Sequence, residues 1–76
     1  MELTIGQKLH QTLNSLETAA AEMKTYALDT QDKTAQQMFS NYARQLEDIA
    51  RGLRGRVNYV ESQEPQYKVY EQQQKQ

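Results

Sequence analysis

Two apolar stripes with helical spacing, separated by the polar residues Asp29-Thr30-Gln31-Asp32, leave this 76-residue chain very few folds. The first stripe runs Leu9, Leu13, Leu16, Ala20, Met23 and Ala27, with Ile5 one step earlier. The second reads Ala35, Met38, Tyr42, Leu46, Ile49, Leu53, Val57 and Val60, flanked by Phe39. Steps of three and four residues keep each stripe on one face of an α-helix. A break this short turns the second helix back along the first. The expected fold is all-α, an antiparallel two-helix hairpin with helices over about 4–28 and 32–62 and a turn over about 29–31.

Local signals mark the ends of these helices. Thr4 followed three residues later by Gln7 forms a capping box, and Thr30 or Asp32 is suited to cap the second helix. Pro65 limits that helix, because proline cannot donate to the hydrogen-bond ladder and keeps the preceding residue out of helical geometry. Gly52 and Gly55 weaken it by about 1 kcal/mol each relative to alanine and are candidates for a bend or a close helix crossing. The hairpin domain is thus 1–64. Residues 65–76 form an extended tail whose polar end, 71–76, has the composition of a disordered segment.

A chain of this size supports only a thin core, and with no cysteine it lacks disulfides and thiolate metal sites. Self-association is the remaining way to cover two long stripes. Two hairpins pairing face to face would close a four-helix bundle, so a homodimer is the expected state, with a higher helical oligomer such as a tetramer, or a complex with a different helical protein, as the alternatives. The residues assigned to core or interface are Leu9, Leu13, Leu16, Met23, Met38, Tyr42, Leu46, Ile49, Leu53, Val57 and Val60.

Little is left over for chemistry. His10, the one histidine, has no acid three or four residues away, and no Glu-x-x-His motif offers a carboxylate-bridged metal site. Neither a phosphate-binding glycine loop nor zinc spacing occurs, and Ser15 and Ser40 have no positioned base. These readings predict a non-enzymatic protein without metal or cofactor. No stretch approaches the roughly 20 apolar residues of a membrane-spanning helix, and Met1-Glu2-Leu3-Thr4 does not read as a secretory signal, so a cytoplasmic setting is expected.

Two surface features remain. Arg44, Arg51, Arg54 and Arg56 form a basic cluster suited to nucleic acid, but Glu47 and Asp48 lie among them and the net charge is −1. The bland account is a solvated, salt-bridged helix face. Past the second helix, Pro65, Gln66, Tyr67 and Tyr70 place aromatic side chains where no helix packing demands them. Such groups serve as anchors, either packing the tail on its own hairpin or dimer or docking it on a partner.

Several stretches carry a family resemblance: Thr4-Ile5-Gly6, Leu13-Asn14-Ser15-Leu16, Tyr26-Ala27-Leu28-Asp29-Thr30-Gln31, Ala35 with Gln37-Met38, then Arg56, Val57, Glu61 and Glu64-Pro65-Gln66-Tyr67-Lys68. On these the chain resembles DUF family 1657, small uncharacterised proteins of endospore-forming Firmicutes. Gln63 stands where an acid is usual in that family, and the tail after Lys68 runs longer. The resemblance implies a sporulation context, with a spore inner-membrane protein as partner and a forespore location peripheral to that membrane. It implies no catalytic residues.

Overall fold

A computed structural model of the protein describes residues 4–63. It is an all-α fold of two helices, α1 (Ile5–Asp29) and α2 (Lys33–Gln63), with no positive-φ residue between them. The capping box at the start of α1 is formed: Gln7 N–H donates to Thr4 Oγ1 and Thr4 N–H donates to Gln7 Oε1. At the turn the two candidate caps divide the work. Thr30 closes α1 by donating its backbone N–H to Tyr26 O, while Asp32 Oδ1 accepts from the backbone N–H of Thr34 and Ala35 at the start of α2. Gln36 Nε2 then donates to Thr30 O, tying the first turn of α2 to the loop.

The packing follows a strict seven-residue repeat. In α1 the buried residues are Gly6, Leu13 and Ala20; in α2 they are Ala43, Ala50 and Val57. Between them stand half-buried Leu9, Leu16 and Met23, and Phe39, Leu46, Leu53 and Val60, also at steps of seven. This is the a and d pattern of a two-stranded antiparallel coiled coil. Its period of 3.5 residues per turn imposes a left-handed supercoil. Alanine at 20, 43 and 50 lets the two backbones approach closely.

Of the residues assigned to core or interface, Met38, Tyr42 and Ile49 do not lie in the core of the hairpin: they are exposed, and Phe39, Ala43 and Ala50 stand against α1. The two sets differ by one residue in phase and share Leu46, Leu53, Val57 and Val60. The narrow seam goes to the set with small side chains at alternate layers, because these allow the closer helix contact. A charged residue at Ile49 is therefore expected to spare the hairpin, whereas one at half-buried Leu46 is expected to unfold it. The tail expected over 65–76 lies outside the described residues.

Gly52 and Gly55 do not bend α2, which runs unbroken through both, and a methyl group at either would meet nothing within 4 Å. Gly55→Ala is therefore expected to raise stability by about 0.5–1 kcal/mol, read as a higher denaturant midpoint with an unchanged slope.

Candidate functional site

The two flanks of the coiled coil have opposite character. On one, three polar contacts link the helices: the ion pairs of Arg54 with Glu17 and of Lys24 Nζ with Glu47 Oε2 at 2.8 Å, and His10 Nε2 with Glu61 Oε1 at 3.1 Å, an ion pair when the imidazole is protonated. Their positions advance by seven along α1 and retreat by seven along α2, so this ladder follows the core register. All six side chains are partly solvated, which limits each pair to about 0–1 kcal/mol. An open groove of about 360 Å³ lies along the ladder, floored by Ala20, Ala21 and Ala50. Its charges are already engaged with one another. Among the described residues no group of three or more His, Cys, Asp or Glu is placed to hold a metal.

The other flank is apolar. Ile5 and Tyr26 on α1, and Tyr42 and Ile49 on α2, recur at one heptad position beside the seam, in rows that also hold half-buried Ala19 and Ala35 and the exposed polar residues Thr12 and Arg56. Met38 and Tyr59 follow one position further round α2, and exposed Gly52 lies in the same row. Tyr26 meets Phe39 edge to face at 5.7 Å, and the Arg56 guanidinium sits 5.3 Å from the Tyr59 ring centroid. Ile49 is 56% exposed and Tyr42 47%, in the middle of the face. The α1 rim of the face carries Lys8 at the open end of the hairpin, and Glu22 and Asp29 towards the turn. None of the three forms an ion pair among the described residues. Leu28 stands apart, on the ladder side near the turn.

The sequence-derived candidates fall as follows. Leu13 and Val57 are fully buried, and Leu9, Leu16, Met23, Leu46, Leu53 and Val60 are half-buried along the seam. Of the four arginines, Arg54 joins the ladder, Arg51 pairs with Asp48 at 2.9 Å, and Arg56 lies over Tyr59 on the opposite flank. Arg44 is exposed. The four therefore do not share one face. His10 finds its acid on the other helix, beyond the reach of a search within its own. Pro65, Gln66, Tyr67 and Tyr70 lie outside the described residues. The ladder was missed at the sequence level, although the steps 10, 17, 24 and 47, 54, 61 with opposing signs were there to be read.

No helix among the described residues is long and apolar enough to cross a membrane. No curated protein and no solved structure matches the chain. Residues 9–57, from the first leucine of the seam to its last fully buried valine, match the family described as a protein of unknown function, DUF1657. That stretch holds the turn, the alanine layers and two of the three ladder pairs, and leaves Glu64-Pro65-Gln66-Tyr67 beyond its end. The chain belongs to the DUF1657 family.

Proposed function

We propose that this protein is a non-enzymatic helical adaptor, whose hairpins pair into a four-helix bundle and whose tail engages a spore membrane protein during sporulation. The observation that carries this reading is the asymmetry of the hairpin: one flank is closed by its own ion pairs, the other is an apolar face with no cover from the chain described. Apolar area gathered on one face of so small a domain favours association over solvation. The spore setting, at the inner membrane of the forespore, rests on the family resemblance, and the tail's role rests on the aromatic pair Tyr67 and Tyr70. The rival reading, a nucleic-acid-associated protein of the spore core, has less support. Arg51 and Arg54 are neutralised by acids, and cations already paired in this way release few counterions from a phosphate backbone.

Capture from membranes of sporulating cells tests the adaptor. The full chain is expected to retain a membrane protein of the spore that the Tyr67→Ala/Tyr70→Ala double variant loses. Equal recovery with both chains would reject the tail as the docking element. Absence of the chain from those membranes would reject the spore-membrane setting.

A further inference from the structure

We infer that the apolar flank is covered by a second copy of this chain stacked antiparallel, open end over turn end, with α2 on α2 and α1 on α1. This rests on the self-association proposed above and specifies its face and direction. Size, charge and side-chain fit each point to that occupant.

The face runs about 36 Å from Ala35 to Tyr59 at 1.5 Å per residue and is about 20 Å across two packed helices, on the order of 700 Å² per copy. A standard stable interface buries about 800 Å² per partner. A single docked helix would cover only about half of the face, whereas a second hairpin matches both its length and its width.

Charge sets the direction. With the cation Lys8 at one end of the α1 rim and the acids Glu22 and Asp29 towards the other, an antiparallel copy sets Lys8 against Asp29 of the second copy at both ends. A parallel copy, turn end over turn end, lays α1 on α2 instead and offers Lys8 the row of Met38, Gln45, Gly52 and Tyr59, which holds no acid, so both Lys8–Asp29 pairs are lost. The heptad rows then fix the register. With the two hairpins in full overlap, the exposed row of α2 places Tyr42 across from Gly52 of the second copy, and Tyr59 across from Ala35. Each large ring faces a small residue, and Gly52 has open space where a side chain would be. Ile49 and Gln45 meet across the centre, and on α1 Ala19 faces its own counterpart, the smallest contact the two-fold axis could ask for. Slipping by one heptad in one direction sets Tyr42 against Tyr59 and loses this match.

The native chain has no cysteine, so engineered thiols report position cleanly. Sedimentation equilibrium of the full chain is expected to give a dimer. Ile49→Glu, at a position exposed in the hairpin, is expected to keep its helix content by circular dichroism and to raise the dissociation constant about thirtyfold or more. Gly52→Leu, which favours the helix but fills the space for Tyr42, is expected to act in the same direction. Thr18→Glu, on the outer surface of α1, is expected to leave the dimer unchanged. In a mixture of Met38→Cys and Arg56→Cys chains, a short thiol cross-linker is expected to join unlike chains. Like-with-like products would overturn the antiparallel stack. A dimer that survives Ile49→Glu would overturn this face while leaving self-association standing, and a wild-type monomer at micromolar concentration would overturn both.

Discussion

Leu13→Ala is expected to lower the stability of the hairpin by about 2–4 kcal/mol, measured as the loss in unfolding free energy by chemical denaturation. Leu13 is 1% exposed at the middle of the α1 seam, and the side chains around it belong to two rigid helices with little freedom to collapse into the space left. The loss therefore includes a cavity as well as the transfer of methyl groups out of an apolar site. For a small domain with about 5 kcal/mol in hand, that is most of its stability. Leu28→Ala is the matched control: the same atoms are removed at a side chain 85% exposed, and the change is expected to stay within about 0.5 kcal/mol. If the two variants lost equal stability, the seam would have been placed on the wrong face of α1.

The second large effect is of the opposite kind. Ala50→Leu adds a bulky apolar side chain to a buried position of α2 and raises the helix-forming hydrophobicity, yet it is expected to destabilise by about 1–3 kcal/mol. The alanines at 20, 43 and 50 set the distance between the helices, and a leucine at 50 must either push α1 away or adopt a strained rotamer. Ala21→Leu, on the exposed surface of α1, is expected to be nearly neutral. A gain in stability on Ala50→Leu would show that the helices are not in close contact there.

The hairpin itself was largely legible in the sequence. Thr4 and Gln7 announce the first cap, Asp32 the second, and the polar break between the stripes leaves room for nothing longer than a turn. The phase of α2 was harder, for a physical reason. Reading burial from side-chain size favours Met38, Tyr42 and Ile49 over Phe39, Ala43 and Ala50, but size works against burial where two helices must approach closely. The bulky residues were not misplaced in the chain; they form a second row, beside the seam. In the same way, Glu61 was invisible as the partner of His10 because the contact depends on the register between helices, which no single-helix spacing contains. What the arginine cluster does was equally a matter of register: the acid that neutralises Arg54 is Glu17, on the other helix.

The ladder of ion pairs contributes little to stability, and its importance lies elsewhere. A hairpin folded one heptad out of step would stack leucine and alanine layers almost as well as the native one, since the seam repeats every seven residues. The charges do not repeat. Sliding α2 one heptad in one direction sets Glu17 against Glu47, and sliding it in the other sets Glu17 against Glu61 and Lys24 against Arg54. Both errors put like charges side by side. Three weak surface contacts thus rank the competing alignments that the apolar layers leave nearly degenerate, and a chain searching for its fold is steered to one of them.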